Sequence, residues 1–131
     1  RALQRTGDLE AALRSVDEAE RLQRARGDRS RALALLRRAE ILDALGRCNE
    51  ALDDARAARQ VAESHDDRDM VLGATLWERL QLARRGLGTR ESLEQALAAA
   101  QSAEVTLRVP TRLLMDQARA WLASAGPTLA L

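Results

Sequence analysis

The sequence lacks several residue types, and each absence narrows what the chain can be. Among its 131 residues there is no Lys, Phe or Tyr, and there are one Cys, one His, two Pro and two Trp. One Cys excludes an internal disulfide and favours a reducing, cytoplasmic location. The scarcity of aromatic and β-branched residues disfavours strands, whereas abundant Ala, Leu, Arg and Glu favour helices. No apolar run approaches the roughly 20 residues that a membrane-spanning helix needs.

Basic and acidic residues are nearly equal in number. The chain has 21 basic and 20 acidic residues, so its formal net charge is +1. A nucleic-acid-binding domain is typically strongly basic on one face. The balance therefore predicts a surface of ion pairs and no direct contact with nucleic acid.

What the sequence does contain is an internal repeat. "GDLEAAL" begins at Gly7 and returns, at nearly regular spacing, as "GRCNEAL" at Gly46, "GTRESL" at Gly88 and "GPTLAL" at Gly126. Between these phrases apolar residues recur every three or four positions, as on one face of an amphipathic helix. A period of about 40 residues predicts pairs of helices joined by short turns.

The predicted helices cover residues 8–26, 29–45, 47–65, 68–85, 90–105 and 110–124. Asp28 and Asp67 are predicted N-caps, and Pro110 suits the first turn of the last helix. We expect Gly7, Gly46, Gly86, Gly88 and Gly126 to separate helices. Residues 1–6 then match the end of a preceding helix and 126–131 the start of a following one. The prediction is one domain, 1–131, of about three repeats, truncated within a repeat at both ends.

These phrases resemble the tetratricopeptide repeat family, in particular its longer variety of about 40 residues, found in bacterial signalling ATPases, transcriptional regulators and kinesin light chains. Ala12 and Ala51 match the small residue where the paired helices cross, and Ala19 and Ala58 match the second small position. Leu9 and Cys48 stand where the family has an aromatic residue. The resemblance implies an all-α, right-handed α-solenoid of antiparallel helix pairs, and an α-solenoid of another kind is the alternative.

Candidate catalytic groups are isolated. Cys48 occupies an apolar repeat position and is expected to pack as a small hydrophobic residue. His65, in "ESHDDRD", stands at a predicted helix end, where the carbonyl groups attract it, and lacks recognised metal-ligand spacing. "GLG" at 86–88 has no following Lys and is not a phosphate-binding loop. The prediction is a protein that is not an enzyme and that has no cofactor and no metal.

The remaining candidates are surface residues opposite the core stripe. In arrays of the tetratricopeptide family one class of helix lines a concave groove where partners lie, and by that resemblance these residues are candidate partner contacts. Trp77 is added as a partly exposed anchor, whereas Trp121 is expected in the core. The set is Arg37, Glu40, Trp77, Glu78, Gln81, Arg85, Arg112, Asp116 and Arg119.

The expected function is a non-catalytic scaffold that binds a protein or peptide, as the interaction or sensor region of a larger bacterial regulatory protein. Stacked repeats create extended binding surfaces, and Arg is favoured in carboxylate recognition. Two alternatives stay open. One is an effector-binding domain of a transcriptional regulator, with a pocket lined by Trp77 or Arg85. The other is a structural module that self-associates through the incomplete terminal repeats.

Overall fold

A computed structural model describes the backbone of residues 2–26, 31–103 and 107–129. Within these ranges the regular elements are six helices, and no strand occurs. The helices are α1 (Ala2–Arg26), α2 (Arg31–Ala44), α3 (Cys48–Ser64), α4 (Arg68–Arg84), α5 (Arg90–Ser102) and α6 (Val109–Leu129). The prediction of an all-α chain is confirmed for the described residues. The predicted cap at Asp28 lies outside them.

The chain divides into two compact units, Arg1–Asp67 and Arg68–Leu131. In the first unit α2 packs against both α1 and α3. The side of α3 facing inward is a run of fully buried alanines, Ala51, Ala55, Ala58 and Ala62. Because alanine has no side chain beyond Cβ, such a surface lets helices pack closely, and larger side chains such as Leu42 fill the remaining core.

In the second unit α4, α5 and α6 pack pairwise around one core. Leu76 and Leu80 of α4, Leu93 of α5 and Met115 of α6 are fully buried there. Trp121 packs against this cluster, as the sequence predicts for it. The core fixes which side of α6 faces inward and therefore which side faces out.

Three helices end in the same way, at even intervals along the chain. Gly46, Asp66 and Gly86 have positive φ angles of 81°, 54° and 70°. After each of them, the next backbone N–H donates to a carbonyl oxygen in the last turn of the preceding helix. These bonds run from Arg47 to Leu42 at 2.8 Å, from Asp67 to Ala62 at 2.9 Å and from Leu87 to Leu82 at 2.9 Å. This is the Schellman arrangement, for which glycine is favoured because it adopts a left-handed backbone without a Cβ penalty. The sequence identifies the two glycine turns but not the aspartate one.

The predicted helix breaks at Gly7 and Gly126 are wrong. Gly7 lies inside α1, and Gly126 lies inside α6. A glycine ends a helix only where the backbone turns left-handed and the last carbonyls find new donors, as at Gly46. Within a helix it costs about 1 kcal/mol relative to Ala, which the surrounding helix-forming residues outweigh. Residues 2–6 are therefore part of α1 and not the end of a separate helix.

The start of α5 uses a polar cap. Thr89 precedes the helix with an extended backbone, and its hydroxyl oxygen accepts the N–H of Ser92 at 3.0 Å. This satisfies one of the free N–H groups of the first turn. The predicted break is Gly88, and the cap at Thr89 is not predicted, although a Thr before a helical segment is a recognised signal.

Candidate functional site

The side of α6 that faces away from the core carries apolar residues. Val109 and Leu113, one helical turn apart, are 66% and 55% exposed. Asp116 and Ala120 continue the same side of the helix and are also exposed. We call these four residues, Val109, Leu113, Asp116 and Ala120, the α6 face. An apolar residue repeated at i and i+4 on an open helix side is a pattern that a partner helix can match.

Charged residues that the sequence singled out flank the α6 face. Arg112 is exposed, and Arg119 is partly exposed. The Arg119 guanidinium lies 3.2 Å from the Asp116 carboxylate in an ion pair that is open to solvent. Arg112, Asp116 and Arg119 are thus brought together on one side of α6, as the helical spacing predicts. Val109 and Leu113 are not among the residues predicted from the sequence, although both fall outside the core stripe of that helix.

The N-terminal end of α6 is held against α4. Asp69 Oδ2 accepts the backbone N–H of Arg108 at 3.2 Å and the Nε–H of the same residue at 2.5 Å. The Asp69 side chain is 12% exposed, whereas that of Arg108 is 62% exposed. Carboxylate–guanidinium hydrogen bonds are among the stronger ones in proteins. Asp69 therefore fixes where the chain enters α6.

Gly73 of α4 lies next to a side chain of α6, close to this ion pair. A Cβ atom added to Gly73 would stand 2.8 Å from Oγ1 of Thr111, whose side chain is buried. Thr111 Oγ1 also lies 3.5 Å from the carbonyl oxygen of Asp69. A side chain at position 73 would therefore require the Thr111 hydroxyl to move.

Contacts of α6 with α4 and with the start of α5 show how helices one sequence period apart are arranged in the second unit. Asp69 and Arg108 are 39 residues apart. They join the start of α4 to the start of α6. Near the other end, Arg90, the first residue of α5, donates to the carbonyl oxygen of Leu122 in α6 at 3.2 Å. Helices about one period apart in sequence therefore lie side by side and run in the same direction.

Burial raises the pKa of the Asp69 carboxyl, but hydrogen bonds from Arg108 and Thr111 and the charge of Arg108 outweigh this, so the pKa lies below its usual value. A lowered carboxyl pKa contributes stability that is present above the unfolded-state pKa. That stability is lost as the pH falls through the folded-state pKa.

We expect Asp69→Asn to lower the free energy of unfolding by about 1–2 kcal/mol at pH 7, because it removes charge-assisted hydrogen bonds. Urea denaturation across pH values measures this. The deficit should shrink as the pH falls below the usual Asp pKa, where the parent chain also loses the charge. A deficit of constant size down to the lowest pH would contradict the electrostatic explanation. Asp116→Asn, at an exposed ion pair, is the matched control.

Two further candidates, Arg37 and Glu40, lie exposed on α2. Partial burial of its carboxyl group raises the pKa of Glu40 above its usual value, and the charge of Arg37 opposes the shift. A cation placed near a partly buried carboxylate stabilises its charged form. The two residues form a small charged patch in the first unit, separate from the α6 face in the chain.

The candidates on α4 need a correction. Trp77, Glu78 and Gln81 are buried, so their side chains do not form an exposed surface, whereas Arg85 is exposed. Apolar periodicity predicts one buried stripe per helix. The buried side of α4 extends well beyond its apolar stripe and includes these polar residues, which a stripe of hydrophobic residues does not reveal.

The residues weighed for chemistry have structural contacts. Cys48 Sγ is 3.5 Å from the carbonyl oxygen of Gly46, in the turn before α3. His65 Nδ1 is 3.0 Å from the carbonyl oxygen of Val61 and 3.2 Å from Ser64 Oγ, which itself donates to the Val61 oxygen at 2.7 Å. His65 thus lies at a helix C-terminus, as predicted. Among the described residues, no group of three or more His, Cys, Asp or Glu side chains is placed to hold a metal ion.

Of the helices in the described ranges, none combines the length and apolar character needed to cross a membrane. The surface features that stand out in the second unit are the exposed apolar pair of α6 and the charges beside it. Comparison with known proteins found no matching family model, no matching curated protein and no matching solved structure.

Proposed function

We propose that the chain is a non-catalytic protein-binding domain and that the α6 face binds an amphipathic helix of a partner. The observation that carries this is the exposure of Val109 and Leu113 on a helix whose opposite side is fully buried in the core. A large apolar side chain gains roughly 1.5–3 kcal/mol on full burial. Two such side chains one turn apart favour an occupant with matching apolar residues.

The flanking charges indicate the chemistry of that occupant. Arg112 and Arg119 lie beside the apolar pair, and Asp116 is paired with Arg119. Arginine presents a planar fork of donors that matches a carboxylate. The partner is therefore an amphipathic helix with an apolar stripe and Glu or Asp along one flank.

The wider proposal is a repeat scaffold of the tetratricopeptide kind, a right-handed α-solenoid in the cytoplasm that serves as part of a larger bacterial regulatory protein. It is supported by the evenly spaced, equivalent helix ends and by parallel helices one period apart in the second unit. The regulatory setting comes from the sequence resemblance. The alternative, an effector-binding domain with an enclosed pocket, would place its ligand beside Trp77, which is buried, or beside Arg85, which is exposed.

The test uses a fluorescent, helix-forming peptide with Leu at i and i+4 and Glu along one flank. Its binding to the chain is followed by fluorescence anisotropy. Leu113→Arg should weaken binding at least about ten-fold, since it puts a charge in the apolar contact. Leu87→Arg is the matched control, because Leu87 is 72% exposed in the turn after α4, outside the α6 face.

Two results would overturn the proposal. One is the absence of saturable binding to the parent chain. The other is equal binding by the Leu113→Arg and Leu87→Arg chains. A second peptide, with Arg in place of Glu, separates charge recognition from apolar contact and should bind more weakly to the parent chain.

A further inference from the structure

We propose that Asp69 of α4 serves as the N-terminal cap of α6 and thereby positions Val109 on the α6 face. The inference rests on the proposed function, because it concerns the surface that binds the partner helix. Asp69 is a positioning residue, since it acts on that surface through the first turn of α6. It belongs to a different helix from the surface that it positions, so the spacing of residues along α6 does not reveal it.

The residues at the start of α6 are poor caps. Arg108 stands immediately before the helix, in the position that Ser, Thr, Asp or Asn usually occupies. An Arg side chain has five N–H donors and no acceptor, so it cannot accept an N–H of the first turn. The first turn of α6 contains no acidic residue either. The N-terminus of α6 therefore gains from an acceptor that another part of the chain supplies.

Asp69 supplies this acceptor from the neighbouring helix. Its Oδ2 atom accepts the backbone N–H of Arg108 at 3.2 Å and the Nε–H of the same residue at 2.5 Å. In a capping box, a carboxylate in the first turn accepts the N–H of the residue just before the helix, and Asp69 makes the same bond from α4. A negative charge at a helix N-terminus is also favourable. Asp69 lies in the first turn of α4, so one carboxylate stands at the N-termini of two parallel helices.

Val109 is the residue of the α6 face that this cap affects most. It is the first residue of α6 and directly follows Arg108. The bond from the Arg112 N–H to the carbonyl oxygen of Arg108, at 3.2 Å, closes the first turn. A helix end without a cap frays, because its N–H groups have no partner inside the helix. Val109 then no longer keeps its place one turn before Leu113, whereas Leu113 itself lies beyond the frayed turn.

The first test measures the helical turn itself, by NMR. Asp69→Ala removes the acceptor and the charge, whereas Asp69→Asn removes the same charge but keeps an oxygen that can accept the Arg108 N–H. In Asp69→Ala the Cα chemical shift of Val109 should lose at least about half of its helical displacement from the random-coil value, and in Asp69→Asn less than about a quarter. The Cα shift of Glu91, in the first turn of α5, should stay as in the parent chain.

The second test asks whether the cap acts on binding through Val109. Asp69→Ala should weaken binding of the acidic helical peptide about five-fold in the parent chain and in Leu113→Ala. In Val109→Ala the same change should weaken it less than about two-fold, because the side chain that the cap positions is already removed. A general loosening of the second unit would weaken binding equally in all three backgrounds. Val109 and Leu113 are exposed, so both Ala variants retain the fold, which circular dichroism checks.

The outcomes distinguish this inference from the function on which it rests. If the parent chain binds the peptide but the Val109 shift is unchanged in Asp69→Ala, the cap is overturned and the proposed function stands. An equal loss of affinity in the Val109→Ala background overturns the positioning role in the same way. A parent chain that binds no helical peptide overturns the proposed function and the positioning role together, and the Val109 shift still decides whether Asp69 caps α6.

Discussion

Leu93→Ala should lower the free energy of unfolding of the second unit by about 3 kcal/mol, within the range of about 2–5 kcal/mol typical of buried leucines. Leu93 is fully buried in the same cluster as Leu76 and Leu80 of α4 and Met115 of α6. The substitution removes apolar contacts and leaves a cavity that three packed helices cannot close.

The matched control for this prediction is Leu113→Ala, which removes the same atoms from an exposed site in the same unit. It should change stability by no more than about 0.5 kcal/mol. Urea denaturation followed by circular dichroism measures both variants. Equal losses at the two leucines would show that the assignment of the inner and outer sides of the second unit is wrong.

Arg38→Met should lower the stability of the first unit by about 1–3 kcal/mol, because it leaves partly buried carboxylates without their cation. Arg38 Nε lies 2.5 Å from Asp17 Oδ1 of α1, and its NH1 group lies 3.2 Å from Asp54 Oδ1 of α3. One guanidinium on α2 thus joins the two helices that pack on either side of it. Its side chain is 29% exposed and that of Asp54 is 12% exposed, so water screens the pairs only in part.

The neighbouring residue supplies the control. Arg37 is exposed on α2, and Arg37→Met keeps the same change of size and charge outside the three-helix ion pair. Chemical denaturation should show a change of no more than about 0.5 kcal/mol for Arg37→Met. If Arg38→Met is equally mild, the bridge between Asp17 and Asp54 does not stabilise the unit.

The helices could be predicted from the sequence because apolar periodicity and helix-ending residues agree over most of the chain. Gly46 ends a helix as expected, and Pro110 lies in the first turn of α6. Gly7 shows the limit of that reasoning, since a glycine is compatible with both a helix and its end. The choice depends on whether the following residues donate hydrogen bonds to the last carbonyls, which residue type alone does not specify.

The candidate site was predicted in part. Charged residues at helical spacing placed Arg112, Asp116 and Arg119 together on α6, but the burial of Trp77 and Glu78 was not foreseen. A single stripe describes a helix with one covered side, and α4 is buried over a wider arc.

The exposure of Val109 and Leu113 could not be predicted from the sequence for a different reason. Their exposure depends on which side of α6 meets α4 and α5, which is a tertiary property.

An NMR titration of the isotope-labelled chain with the Leu- and Glu-bearing helical peptide tests docking at the α6 face most directly. We expect saturable chemical-shift changes that concentrate at Val109, Leu113 and Ala120, with Leu87 unaffected. Shifts that are absent from α6, or that spread evenly over exposed residues, would contradict the claim that the α6 face is a docking surface for a helix.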